Sequence, residues 1–416
     1  MHSTLFHMST APDRQPAVRL VMVTGENNNK VYEMAANGDG TFTARYGRIG
    51  AKLQTRTYPM QRWERTYREK TRKGYADVTS LAAETADAPF DIASPEVAAL
   101  VDVLRAAADR AIQAQYLVGP SEVGPRQVQE AQAHLDALAG LAASLSDAPD
   151  TASPFDERLL ALYTTIPRKM TDVRAHLLAH GLAPDDVPAM LDGEQEALDR
   201  MAQRVRLAEA PTAPTLLEAL GFDLRPVTDA RVLADLRREI GAHAELVRAV
   251  EIEHPHLRTR FEAHVAASSR KTTRRLWHGS RSENWLSILE TGLVLNPARA
   301  VITGKMFGHG LYFADSFQKS LGYTSLWGSR WTGGGEARGF LALCDVHLGR
   351  ALAVHRHEAW CYELDAGRLA TRGMFRTYDS LHARSGSMLV HDELVVYNEA
   401  QVCPRYLIEV SLPDPS

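Results

Sequence analysis

The run Gly308-His309-Gly310-Leu311-Tyr312-Phe313-Ala314-Asp315, continued by Lys319-Ser320 and Tyr323, decides how this chain is read. Strand side chains alternate between faces, so Tyr312 is set opposite Leu311 and Phe313. Two distant pieces also place a polar group beside an apolar run: Trp277-His278-Gly279-Ser280 upstream and Asp392-Glu393-Leu394-Val395-Val396-Tyr397 downstream. His278, Tyr312 and Glu393 are therefore expected to meet in a site assembled by a sheet. Each alone is ordinary. A histidine after tryptophan is more often packed, a tyrosine in an apolar strand is usually core, and a glutamate at a strand edge is usually solvated. Their joint occurrence gives the site its weight. His254, His256, His355 and His357 have no such company and are read as surface residues.

The chain has 416 residues, enough for two or three domains. Its 45% hydrophobic and 24% charged content is that of ordinary globular domains. No apolar run approaches membrane-spanning length, so no membrane partner is expected. Residues 1–16 are polar and expected to be disordered; they are not a secretory signal, and Met8 offers a second start. Cys344, Cys361 and Cys403 are scattered, forming neither a metal-ligand pattern nor a disulfide framework. No metal and no zinc-finger module is expected, and a reducing compartment is the simple reading.

Charge is unevenly spread. Val18–Val78 holds 12 Lys and Arg against 6 Asp and Glu, leaving 35 against 45 in the remainder. A basic module on an acidic body suggests a polyanion partner. That module reads as β-rich. Val18, Leu20 and Met22 alternate, Asn27-Asn28-Asn29 and Asn37-Gly38-Asp39-Gly40 are turn signals, and Lys30–Met34 and Thr41–Tyr46 read as strands. Met60–Lys73 has helical character with many basic residues.

A linker is expected over 81–93, then helices over 94–210. Ser94-Pro95-Glu96 is a helix start, and Val97, Leu100, Val101, Leu104 and Ala108 recur at helical spacing. Gly124-Pro125 and Ser153-Pro154-Phe155 open further helices, and a last one is expected from about Gly193 to Val205. Pro211-Thr212-Ala213-Pro214 marks the next boundary, with Val232–Val250 read as one amphipathic helix and short strands after Gly349. No glycine fingerprint of a hydride-carrying dinucleotide fold is present. The fold class is therefore a multidomain α+β chain. It comprises a small antiparallel sheet at 17–80, an all-α bundle at 94–210 and a β-rich domain at 211–416.

The ordered motifs resemble the catalytic domain of the poly(ADP-ribose) polymerases, which transfer ADP-ribose from NAD. The motifs are His278-Gly279-Ser280, Gly310–Ala314, Lys319–Tyr323 and Glu393–Tyr397. Tyr46-Gly47-Arg48 resembles the tryptophan-glycine-arginine motif of the WGR domain found in DNA-dependent members, with Tyr46 in the aromatic place. The bundle, with Leu162–Pro167, is similar to the family's autoinhibitory helical domain. The resemblance implies that NAD is a consumed substrate rather than a hydride carrier. DNA strand breaks would be partners, and protein acceptors would include the chain itself. It further implies a monomer without DNA, working in the cytoplasm or nucleoid if bacterial and the nucleus if eukaryotic.

The implied roles follow the motifs. Gly279 offers backbone groups to the nicotinamide amide, Ser320 donates to it, and Tyr312 and Tyr323 supply aromatic faces. His278, within the motif that Ser280 completes, bonds the adenosine ribose. Glu393 accepts from the nicotinamide ribose and aligns the acceptor, with Lys319 assisting. Tyr46 and Arg48 are expected at the DNA. Val294 and Lys305 stand where the family often has arginine and tyrosine, and 297–304 is expected to be the loop over the NAD cleft. The alternatives are a mono-ADP-ribosyltransferase or a DNA-end-binding scaffold with an idle catalytic fold.

Overall fold

The structure is a computed structural model. It describes residues 17–79, 92–142, 144–145, 152–209, 215, 219–295, 306–373, 376–386 and 389–413. The expectations for 1–16, for most of the 81–93 linker, for 211–214, and for 297–304 with Lys305 lie outside those residues.

The first layer is an antiparallel sheet of β1 (Ala17–Thr24), β2 (Asn28–Ala36), β3 (Thr41–Arg48), β4 (Gln54–Pro59) and β5 (Ala76–Asp77), in the order β4-β3-β2-β1-β5. Asn27 takes a left-handed φ of 65° in the β1–β2 turn, a conformation asparagine tolerates. Alternation in β1 predicts one buried face, yet both faces are covered. Leu20 joins Tyr32, Met34, Phe42 and Ala44 on one side, against the helix Trp63–Arg72. Val21, Val23, Val31 and Ile49 face a second core with Tyr116, Tyr163 and Val173 of the helical layer.

The helical layer contains Pro95–Gln115, Pro125–Ala142, Ala152–Thr165 and Val187–Glu209. Ser94 caps the first of these by accepting from the Val97 amide, with Pro95 in the first turn. The last helix begins at Val187 rather than near Gly193, because the turn Pro184–Asp186 leads straight into it. Helix Pro95–Gln115 belongs to two cores. Val97, Leu100, Val101 and Leu104 pack with Trp285 and Phe340 of the third layer, whereas Ile112 packs within the bundle.

The third layer holds two sheets. One is β6 (Asp223–Pro226), β7 (Glu245–Glu253), β8 (Thr273–Ser280), β10 (Arg338–His347) and β14 (Val402–Ser411), in the order β6-β7-β14-β10-β8. The other is β9 (Leu311–Phe313), β11 (Ala351–Val354), β12 (Ser380–Ala383) and β13 (Glu393–Val396), in the order β11-β12-β13-β9. The helix expected over Val232–Val250 is therefore two elements. Ala230–Ile240 is helical, Gly241 ends it at φ +59°, and β7 follows, paired with β14. Within β7 the spacing of Ala249 and Val250 fits either period, and pairing with Leu407 and Ile408 decides for the strand. His254 is also not at the surface. Its Nδ1 accepts from the Leu257 amide to cap the helix Pro255–Ala267, and its Nε2 donates to the Glu290 carbonyl at 2.9 Å. His357 is half-buried, with Nε2 2.6 Å from the Met306 carbonyl, while His256 and His355 are exposed as expected.

Leu104 lies on the shared helix at 0% exposure, so Leu104→Ala should cost about 2–5 kcal/mol. Val103→Ala, its half-exposed neighbour, should stay within about 0.5 kcal/mol. Urea unfolding followed by tryptophan fluorescence measures both.

Candidate active site

Among the described residues, backbone pairing joins the two sheets of the third layer at one short seam. Trp277 and Ala314 exchange backbone hydrogen bonds of 2.8 and 3.0 Å. One residue on from Trp277, the His278 Nδ1–H donates to the Tyr312 carbonyl at 3.0 Å. With Nδ1 carrying the proton, the acceptor of the neutral ring is Nε2. Phe313 and Trp285 flank the imidazole at 5.7 and 6.5 Å. β13 pairs with β9 so that Val395 faces Tyr312, which brings the head of β13, Glu393, to the same side.

Tyr312 is held at its far end. Its hydroxyl donates to the Gly308 carbonyl at 2.8 Å and accepts from the Phe307 amide at 3.1 Å. Burial first, then the neighbouring Tyr397 and Glu393, push the phenol well above its ordinary pKa. The hydroxyl therefore fastens the 307–310 turn, and the ring is left as a wall. Gly310 lets that turn lie on β13, since a Cβ there would sit 2.3 Å from Val395 Cγ1.

The helix Phe317–Leu321 supplies the opposite side. Lys319 Nζ lies 2.9 Å from Glu393 Oε1, and both side chains are largely buried. Lys319 also donates to the Asp392 carbonyl at 3.4 Å. Gly279 runs hard against the end of this helix. A Cβ at 279 would fall 2.0 Å from the Ser320 carbonyl oxygen and 3.4 Å from Tyr323 Cβ, so only glycine fits. Tyr323 stacks on Trp331 with centroids 6.1 Å apart. Burial, followed by the charge of Glu393, pushes its hydroxyl up to about 12.

His278 is thus joined to Tyr312, Gly279 lies against Ser320 and Tyr323, and Lys319 is paired with Glu393. Ser280 sits one position further along and looks toward the helical layer. Its Oγ accepts from Asn284 Nδ2 at 3.3 Å, and Asn284 Oδ1 accepts from Arg200 Nη1 of helix Val187–Glu209 at 2.7 Å. Neither Asn284 nor Arg200 was expected from the sequence, since a polar contact between elements 84 residues apart leaves no local pattern.

The two expected DNA residues lie elsewhere. Tyr46 stacks on Tyr32 across β2 and β3 at 5.3 Å. Arg48 donates to the Asn27 carbonyl at 2.9 Å, to Asn27 Oδ1 at 2.8 Å, and to the Thr171 carbonyl of the helical layer. Asn29, fully buried, donates to the Arg168 and Met170 carbonyls at 3.0 and 3.3 Å. Arg48 therefore belongs to the joint between sheet and bundle.

The site therefore holds a carboxylate–ammonium pair, two aromatic rings and a backbone stretch that only glycine fits. The chain belongs to the poly(ADP-ribose) polymerase family of NAD-consuming ADP-ribosyltransferases. The description "Poly(ADP-ribose) polymerase catalytic domain" matches residues 231–412, and "WGR domain" matches 17–81. A poly(ADP-ribose) polymerase-like protein, 100L, of Invertebrate iridescent virus 6 is 32% identical over 154 residues, 36% of this chain and 78% of that protein. Poly(ADP-ribose) polymerase 2 of Arabidopsis thaliana is 35% identical over 162 residues, covering 34% of this chain and 24% of the relative. The human protein of that name is 34% identical over 156 residues, 32% of this chain and 26% of its own length. The chain thus spans about a quarter of these cellular relatives.

Gly279→Ala should weaken binding of a nicotinamide analogue at least about tenfold in calorimetry, a loss of roughly 1.4 kcal/mol or more. Tyr323 gives a pH marker. A raised phenol stabilises the fold fully below about 10 and loses that contribution as pH rises through about 12. Ultraviolet titration of Tyr323→Phe should lack one phenol in that upper window and match the parent below it.

Proposed function

We propose that this chain is a protein poly-ADP-ribosyltransferase, activated by DNA breaks, that modifies itself and other DNA-bound proteins and releases nicotinamide. The observation that carries this is the buried Lys319–Glu393 pair at the head of β13, whose carboxylate acts on both Tyr312 and Tyr323. Nicotinamide would lie between the two rings, its amide on the Gly279 backbone and Ser320, with His278 and Ser280 along the adenosine half. The bond between nicotinamide and ribose breaks with its electron pair leaving on nicotinamide, and the ribose becomes cationic. Ionised Glu393 stabilises that cation more than the ground state, which lowers the barrier rather than merely tightening binding. The acceptor hydroxyl oxygen then bonds to the ribose carbon, and its proton passes to the Glu393 carboxylate. Lys319 holds that carboxylate and meets the acceptor's negative groups.

DNA would meet the exposed arginines on the helix-bearing side of the N-terminal module, Arg56 of β4 and Arg65, Arg68 and Arg72 of the helix Trp63–Arg72. In this reading the Arg48 joint passes the change to the bundle. The bundle reaches the NAD motif through Arg200, Asn284 and Ser280. Loosening helix Val187–Glu209 would release Ser280 for NAD.

Incubation with labelled NAD, with and without nicked DNA, tests this. A DNA-dependent ladder is expected; a single band would make the chain a mono-transferase, and no label would make it a scaffold. Glu393→Gln should abolish elongation while NAD still binds, and normal polymer from it would remove the assigned role. Arg48→Ala should lower the DNA response at least about fivefold, a coupling of roughly 1 kcal/mol, and spare DNA-independent turnover.

A further inference from the structure

The residue before Glu393 is tied more heavily than a strand end requires. β12 and β13 pair through Ala383 and Glu393, so the connection between them begins at once on both sides. Asp392 closes it. Its Oδ1 accepts from the Ser385 amide at 2.7 Å, and its Oδ2 accepts from His382 Nε2 at 2.7 Å and from Arg384 Nη1 at 3.2 Å. Burial opposes ionisation of this carboxyl, but the Ser385 and His382 hydrogen bonds outweigh it and hold its pKa well below the carboxylate range. On its other side the Asp392 carbonyl accepts from Lys319 Nζ, the group that pairs with Glu393. One peptide is therefore fixed from both sides, by three donors at the end of β12 and by the site lysine.

We propose that Asp392 is a positioning residue for ADP-ribose transfer: by gathering His382, Arg384 and Ser385 it sets the Asp392–Glu393 peptide, and with it where the Lys319 ammonium and the Glu393 carboxylate stand. This rests on the reading of the site under Proposed function. Reaction geometry tolerates little displacement, and groups that orient an active residue typically cost 10- to 100-fold when removed. A loop clasp alone would give a different result, because it would affect how much protein is folded and not how fast each folded molecule reacts.

The experiment measures DNA-stimulated nicotinamide release by Asp392→Ala, Asp392→Asn, His382→Ala, Glu393→Gln and the Asp392→Ala/Glu393→Gln pair, normalised to the folded fraction from circular dichroism. Asp392→Ala should lower kcat at least about tenfold with KM for NAD within about threefold. Asp392→Asn, which keeps an acceptor but not the charge, should fall between. In the Glu393→Gln background the Asp392→Ala change should cost less than about twofold, since the two act through one group. An Asp392→Ala protein with lowered melting temperature but parental kcat per folded molecule would overturn the proposal, and so would losses that multiply in the pair. Should Asp392→Ala not fold, His382→Ala removes one donor and should lower kcat about threefold or more at constant KM; an unchanged kcat overturns the proposal. An unaltered chain that releases no nicotinamide would instead overturn the reading of the site, and this proposal with it.

Discussion

Two backbone hydrogen bonds between Trp277 and Ala314 join sheets that otherwise share no strand pairing among the described residues. Every proposed contact to NAD depends on that seam. β8 brings His278 and Gly279 on one side of it; β9 brings Tyr312 on the other and, through β13, Glu393. The seam is short, so it is reinforced by side chains. His278 spends one nitrogen on the Tyr312 carbonyl, and Trp277, 1% exposed, packs edge-on to Phe317 at the start of the helix that carries Lys319. An imidazole used this way is fixed in tautomer and orientation, which any ribose contact through Nε2 requires.

Arginines brace the helical layer from within and at its borders. Arg168 is buried, over the Tyr116 ring at 4.4 Å and paired with Glu194, while its carbonyl receives Asn29 of the sheet. Arg200 bonds Gln115 and Asn284, Arg204 bonds Asp109, and Arg206 bonds Glu290. A buried ion pair recovers its desolvation cost only when geometry and partners are complete. Small displacements of helix Val187–Glu209 therefore carry a larger penalty than sliding apolar surfaces would. Such a layer suits discrete positions rather than graded ones, the property needed of an element that passes a signal between two sites.

Legibility followed locality. β1, β2 and β3, the Ser94-Pro95 helix start and the strand carrying Tyr312 are written in side-chain alternation, capping residues and turn asparagines, all of which act within a few positions. β4 was not foreseen because Gln54–Pro59 has almost no apolar alternation and is held by pairing with β3. Val232–Val250 was read as one helix because its apolar spacing satisfies that period until β14 supplies a partner. His254 was placed at the surface because a capping imidazole looks like any polar residue before proline. The motif order foresaw neighbouring strands: His278 meets the Tyr312 carbonyl, and Glu393 heads the strand paired with that of Tyr312. The side chains around them were not legible: Asn284, Arg200 and Asp392 owe their roles to contacts across folded surfaces.

One consequence concerns the N-terminal sheet, which is covered on both sides. Cut free after residue 79, it would keep Leu20, Met34 and Phe42 sheltered by its own helix but present Val21, Val23, Val31 and Ile49 to water. A flat aliphatic surface of that kind invites self-association. The module is thus half of a sandwich rather than a detachable bead on a string, and any shortened version must carry the helices that line its inner side.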